Sequence, residues 1–404
     1  MEKPVAVIEF TSRLIRIVVG FTIDEEVYIL YALEKPIGPF IENGRIINED
    51  ALVEEVKSIA NISDPSAKLK IKLTNAVLAL PPLGLEIFQT KRILTVINEE
   101  GKIDNLDIRN LYTVISRDAV PNDDIVVGVI PEEFILDHER SFKNPPVGES
   151  SDSITVNAKV HTLPKSIAES YQTSLTRGGI ALRRTFVAPF GVAELLATYQ
   201  EVPADYILVD IGARLTTISL VGKKKLYGAN YINWGGDNIT DAIARDFKIN
   251  ISDAEKYKIM YGYDKREMNF EAPVCTSEDE NGLPIKRLLS EMNVITKEEL
   301  DSFIKKLNIA IEELLKDYEP GFRSLPMIVI GGGSQLYGLK EYMEPKVQSK
   351  TVKMITPKTI GARSPNFFTC LGLIKANSKF PHLSDDGQQR IRKVTRTNTS
   401  EDNL

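Results

Sequence analysis

Ile207-Leu208-Val209-Asp210-Ile211-Gly212 passes through Ala213-Arg214-Leu215 into Thr216-Thr217-Ile218-Ser219-Leu220-Val221-Gly222. β-Branched and aliphatic residues fill both runs and a short turn separates them, which is the pattern of a strand hairpin. The chain opens on the same design: Val5-Ala6-Val7-Ile8-Glu9-Phe10 leads through a polar turn into Ile15-Arg16-Ile17-Val18-Val19-Gly20. Each copy carries one acid near the end of its first strand, Glu9 and Asp210. Such self-similarity predicts a duplicated core, although two unrelated strand pairs would give the same pattern.

Between the copies, residues 83–163 read mainly as strands around one amphipathic helix over 104–119, with turns at clusters such as Asn144-Pro145-Pro146-Val147-Gly148. This stretch has the character of an inserted module. Helices dominate after the second copy. Ser252 with Glu255 has capping-box spacing, and Gly262 is placed to stop the helix that follows. Residues 272–284 are acidic and contain Pro273, Gly282 and Pro284, which predicts an exposed loop.

A second box, Thr296 with Glu299, precedes Leu300, Phe303, Ile304, Leu307, Ile311, Leu314, Leu315 and Tyr318 at helical spacing, with Pro320-Gly321 as the expected end. The stripe suits a core face better than a partner groove. Met327-Ile328-Val329-Ile330 then has the pattern of a buried strand, running into Gly331-Gly332-Gly333-Ser334 and a helical segment from Leu336 to Met343.

Bulk composition excludes several classes. The chain of 404 residues has a formal net charge of -6, from 50 basic and 56 acidic side chains. That length suggests roughly two to four folding units, and that charge offers no overall positive field to hold nucleic acid. Cys275 and Cys370 are the only cysteines, and His138, His161 and His382 lack ligand spacing. A disulfide framework or zinc site is not expected, and a reduced cytosol is. Glu9, Arg13 and Arg16 interrupt the first apolar stretch, and nothing approaches the ~20 apolar residues of a membrane span.

Three elements have the chemistry of a nucleotide site. Glycines at the strand end Gly331-Gly332-Gly333-Ser334 let backbone approach a ligand with no Cβ in the way, although a tight structural turn would choose glycine too. Asp210-Ile211-Gly212 offers a carboxylate able to hold magnesium through water, with the hydroxyls of Thr216 and Thr217 placed to face phosphate oxygens. Trp234-Gly235-Gly236-Asp237 enters a helix over Ile239–Phe247, where free amides and the helix dipole favour an anion. A plain cap by Asp237 or Asn238 would explain that last motif equally well.

These elements, in this order behind a duplicated hairpin, resemble the actin, sugar kinase and heat-shock chaperone superfamily. Several stretches are similar to the FtsA family in particular. They are Val129-Ile130-Pro131-Glu132-Glu133-Phe134-Ile135-Leu136-Asp137 with Asn144-Pro145; Gly235-Gly236-Asp237-Asn238-Ile239-Thr240-Asp241-Ala242-Ile243-Ala244; Ala254-Glu255-Lys256-Tyr257-Lys258 with Gly262; Gly331 to Ser334 with Gly338-Leu339; and Gly361-Ala362-Arg363-Ser364-Pro365. The match runs over about residues 1–376.

The resemblance implies an α/β, actin-like two-lobed fold: duplicated mixed β-sheet cores flanked by helices, with an inserted α+β subdomain. Residues 1–82, 164–200 and 359–380 would form the first core, 83–163 the insertion, 201–234 and 301–358 the second core, 235–300 a helical lobe over the nucleotide, and 381–404 a flexible tail. It further implies ATP and magnesium in the cleft, head-to-tail polymerisation, and a grip on the FtsZ C-terminal peptide through the lobe around 235–300. The setting would be the cytoplasmic face of the membrane at the division site. By position, Glu9, Thr11, Ser12 and Arg16 would lie in the first phosphate loop; Asp210, Gly212, Thr216 and Thr217 in the second; Gly331, Gly332, Gly333 and Ser334 near adenosine; Glu255 and Lys258 near the ribose; and Gly235 and Gly236 beside sugar and phosphates.

Both phosphate loops depart from the family. Glu9-Phe10-Thr11-Ser12-Arg13 stands where Asp-Ile-Gly-Thr-Ser is usual, and Ala213 and Arg214 replace two glycines. Left-handed backbone there would cost a non-glycine residue roughly 1 kcal/mol. Nucleotide binding with slow or weak hydrolysis, Arg13 or Arg214 donating in place of lost amides, is expected in preference to a cleft that has lost its nucleotide. The tail departs too, since its basic stretch 388–396 has only Ile391 and Val394 as apolar members. It would be either a solvated segment or a weak contact with anionic membrane. A small-molecule phosphotransferase and an actin-like scaffold of a pilus or secretion machine share the core and stay open as alternatives.

Overall fold

The computed structural model describes residues 3–64, 69–96, 101–118, 123–264, 271–278, 282–316, 318 and 324–380. Both hairpins form, and their registers match position for position. Strand Val5–Phe10 pairs with Leu14–Ile23 so that Phe10 lies opposite Ile15, and Tyr206–Ile211 pairs with Thr216–Gly222 so that Ile211 lies opposite Thr216. The turns are equivalent as well: the Thr11 amide donates to the Leu14 carbonyl at 2.9 Å, and the Gly212 amide to the Leu215 carbonyl at 3.0 Å. No residue of either turn has a positive φ, so the replaced glycines bring no left-handed strain.

Each hairpin sits in a five-stranded sheet of the same topology. In the first, Val5–Phe10 is central, flanked on one side by Leu14–Ile23 and Glu26–Pro36 and on the other by the parallel strands Asn75–Leu80 and Ala181–Val187. In the second, Tyr206–Ile211 is central, with Thr216–Gly222 and Lys225–Ile232 on one side and the parallel strands Met327–Ile330 and Val352–Met354 on the other. Side-chain alternation decides which core each residue enters. Tyr206 and Leu208 join the apolar core of the first lobe, whereas Ile207, Val209 and Ile211 join that of the second.

Between the sheets in sequence lies a four-stranded antiparallel sheet of Glu86–Thr95, Asp124–Leu136, Arg140–Phe142 and Ser153–Pro164. Helix Asn105–Asp118 covers it with Ile108, Leu111 and Ile115, making a third apolar core with Phe134 and Val156. This module touches both lobes. His161 packs edge-on against Phe190 of the first, and Lys225 of the second pairs with its Glu132 at 2.7 Å.

Several local expectations are corrected. Helix Ile251–Tyr261 is capped by Asn250, whose side chain accepts from the Asp253 amide at 2.8 Å; Ser252 is inside the helix, and Glu255 turns toward Lys258 and Thr240. Residues 272–284 are not simply a loop, since Pro273–Glu278 and Pro284–Leu288 pair as antiparallel strands. Thr296 does not open a helix: it is buried within a continuous helix Leu289–Leu315, because Leu289, Met292 and Ile295 extend the apolar stripe upstream. Beyond Ile330 the chain makes a 3-10 turn, Gly332–Gln335, before helix Leu339–Met343. Pro320-Gly321 and the basic stretch 388–396 lie outside the described residues.

Candidate functional site

The two turns and the glycine run border one cavity of about 570 Å³ between the lobes. Parallel pairing of Asp210 with Ile330 delivers Gly331 beside Asp210. Gly331 has φ 85°, and a Cβ there would lie 2.3 Å from the Asp210 carboxylate oxygen, so glycine is required both by conformation and by space. At Gly332 a Cβ would approach the Asn366 side-chain oxygen to 2.9 Å, and that oxygen is buried with no hydrogen-bond partner among the described residues. The cavity therefore holds an unused acceptor next to backbone free of side chains.

Of the residues expected in a phosphate site, Glu9, Thr11, Ser12, Arg16, Asp210, Gly212, Arg214 and Thr217 line this cavity, with Gly236, Glu255, Lys258 and Gly331 to Gly333. Arg16 pairs with Glu9 at 2.9 Å and with Glu34 at 3.1 Å. Asp210 has no such partner among the described residues; burial, with Glu9 adding and Arg16 opposing, pushes its carboxyl up to about 7.

Three expected residues do not face the cavity. Thr216 is fully buried and its hydroxyl donates to the Trp234 carbonyl at 2.8 Å. Ser334 turns its hydroxyl back onto the Gly331 carbonyl at 2.7 Å. Gly235 has extended backbone pressed on the second turn, where a Cβ would meet the Ala213 carbonyl at 2.4 Å.

The entry of helix Gly236–Phe247 is also not an open anion site. Its first amides are already engaged: Gly236 donates to the Gly212 carbonyl at 3.0 Å and Asp237 to the Ala213 carbonyl at 2.9 Å. Lys258 is likewise committed, donating to the Gly236 carbonyl, the Thr240 hydroxyl and Glu255 at 3.0, 2.9 and 2.8 Å. Burial works to raise the Glu255 pKa, but Lys258, Thr240 and Arg13 outweigh it and leave the carboxyl below its ordinary value.

What the sequence did not reveal is the partner of the two turn arginines. Arg13 donates from Nε and Nη2 to Asp237 at 2.9 and 2.7 Å, and Arg214 reaches the same carboxylate with Nε at 2.7 Å. Arg214 also pairs with Asp241. Burial holds Asp237 above the ordinary carboxylate range although both arginines oppose it. The only earlier signal is positional: each arginine is the third residue of its four-residue turn.

The cavity brings together bare backbone at Gly331 to Gly333, the Asn366 acceptor and, where loop amides are expected, the guanidiniums of Arg13 and Arg214. Among the described residues no group of three or more His, Cys, Asp or Glu side chains could hold a metal, so a magnesium ion would depend on Asp210 through water and on phosphate oxygens.

Two matched five-stranded sheets around an interlobe cleft define an actin-like protein. The structure resembles that of the PilM–PilN type IV pilus biogenesis complex, with a TM-score of 0.59 at 16% identity over 92% of this chain and 97% of that one. It also resembles MreB5 of Spiroplasma citri bound to ADP, with a TM-score of 0.56 at 14% identity over 94% and 98%. The family model "Cell division protein FtsA" matches residues 207–372, and "SHS2 domain inserted in FTSA" matches 85–162. The cell division protein FtsA of Enterococcus faecalis is 23% identical over 84% of this chain and 76% of its own length, and that of Bacillus subtilis is 25% identical over 89% and 80%. The chain belongs to the FtsA family of cell-division proteins.

Proposed function

We propose that this protein binds ATP with magnesium between its lobes, polymerises head to tail, and links FtsZ filaments to the cytoplasmic membrane at the division site, with at most slow hydrolysis. The observation that carries this is the convergence of two equivalent turns and a glycine-rich strand end on one cavity. In it, Gly331 to Gly333 would admit adenosine against bare backbone, and Arg13 and Arg214 would donate to phosphate oxygens. Asp210 would carry the magnesium through water, and the cation's charge would favour the ionised carboxylate over the neutral form that burial favours. The bound nucleotide would place its negative charge between the lobes.

No described helix is long and apolar enough to cross a membrane, so attachment would be peripheral, and multiplied along a polymer if single contacts are weak. Isothermal titration with ATP and magnesium tests the nucleotide directly, and an absence of heat at millimolar ATP would remove it. Electron microscopy on anionic lipid, with and without ATP and an FtsZ C-terminal peptide, tests assembly and linkage. Co-sedimentation with vesicles, comparing the full chain with one ending at Lys379, tests whether the tail is the anchor; equal pelleting excludes it.

A further inference from the structure

The duplication puts Arg13 and Arg214 at the same place in two turns, one from each lobe, and both guanidiniums close on the single carboxylate of Asp237. The side chains differ sharply in exposure. Asp237 is 4% exposed and anchored in the first turn of its helix, whereas Arg13 and Arg214 are 36% and 40% exposed and lie against the open cavity. Asp241 and Glu255 stand next to the pair, Asp241 bonded to Arg214 and Glu255 3.8 Å from Arg13. A guanidinium presents a fork that suits carboxylate and phosphate alike, so Asp237 holds donors that a phosphate chain in the cavity would also seek.

We propose that Arg13, Asp237 and Arg214 form an exchangeable clasp across the cleft, in which Asp237 engages both guanidiniums until the phosphate chain of a nucleoside polyphosphate takes them over. This rests on the nucleotide reading and adds what the two arginines are bound to beforehand and that Asp237 competes with the phosphate chain for them. Because Arg13 and Asp237 belong to opposite lobes, the clasp also keeps the cleft drawn together before the phosphate arrives. The exchange replaces one set of charge-assisted hydrogen bonds with another, so it needs no net loss of partners for either arginine.

The test is titration of the full-length protein with ATP and magnesium, and separately with inorganic tripolyphosphate, followed by calorimetry and by the fluorescence of Trp234, the single tryptophan, which lines the cavity. Asp237→Asn keeps the side-chain shape and removes the competing charge, so both ligands should bind about tenfold more tightly than to the wild type. Arg13→Gln alters a partly exposed side chain and is expected to fold; it should weaken both ligands about tenfold. The double variant should fall below the wild type.

ATP affinity that is unchanged in Arg13→Gln, or unchanged or weaker in a folded Asp237→Asn, overturns the clasp while leaving ATP binding intact. If Asp237→Asn does not fold, Arg13→Gln alone decides. If neither the wild type nor any variant binds ATP or tripolyphosphate at millimolar concentration, the nucleotide reading falls and the clasp falls with it.

Discussion

The Lys159 ammonium lies 3.7 Å from the centre of the Tyr227 ring and donates to the neighbouring Leu226 carbonyl at 3.1 Å. Lys159 belongs to the inserted module and Tyr227 to the outer strand of the second sheet, so one side chain spans a module boundary. Burial lowers its pKa, with the nearby Glu132 opposing. Lys159→Met keeps the aliphatic stem and removes the charge and the donor. It should cost about 1 kcal/mol in urea unfolding, and hydrogen exchange should speed up in the strand Lys225–Ile232 ahead of the rest of the second sheet.

Gly331 and Gly361 both have positive φ, 85° and 90°, but different surroundings. A Cβ at Gly361 meets nothing within 4 Å, while one at Gly331 collides with Asp210 and the Ile211 carbonyl. Gly361→Ala should therefore cost about 1 kcal/mol, the conformational penalty alone. Gly331→Ala should cost about 3 kcal/mol and abolish ATP binding, because Asp210 must move. Denaturant titration and calorimetry on both variants check the difference.

Adjacent threonines of the second turn should separate by role. Thr216→Val removes a buried donor to the Trp234 carbonyl and should lower stability by about 1 kcal/mol without changing ATP affinity. Thr217→Val, at the cavity wall, should weaken ATP binding while stability stays the same. Equal loss of affinity in both variants would contradict the orientation of Thr216.

His161 is buried against Phe190 with its Nδ1 lacking a partner among the described residues, and burial, with Lys159 adding, lowers its pKa to about 3. Above the ordinary histidine value of 6.5 neither the folded nor the unfolded chain protonates it, and it adds nothing to pH dependence. Below that value the unfolded chain takes a proton that the folded one refuses, so stability falls by about 1.4 kcal/mol per pH unit until the folded pKa is reached. His161→Leu should flatten this acid limb between pH 6.5 and 3, as measured by chemical denaturation at several pH values.

Elements written in local pattern were legible in the sequence, and those created by distant partners were not. Alternating aliphatic residues in Val5–Phe10 and Tyr206–Ile211 specify strands whatever surrounds them, so the duplication could be seen directly. The Thr296-to-Glu299 spacing imitates a helix start, but four residues cannot report that Met292 and Ile295 are buried on the same stripe. Following that stripe further upstream would have found the true beginning at Leu289. Beyond the equivalent turn positions of the two arginines, the contact of Arg13 with Asp237 had no sequence signal, since the two are brought together only by the meeting of two lobes. The amides of Gly236 and Asp237 are engaged by the second turn of their own lobe, well back in the chain, a contact that the local pattern of a helix start does not carry.

Strand Tyr206–Ile211 faces two cores at once, with even-numbered Tyr206 and Leu208 on one side and odd-numbered Ile207, Val209 and Ile211 on the other. Its reading frame is thus a shared mechanical constraint: deleting or inserting a single residue before Asp210 would send each of these side chains into the wrong half of the molecule. Length changes that a peripheral strand could absorb would here unseat both halves together, and Asp210 with them.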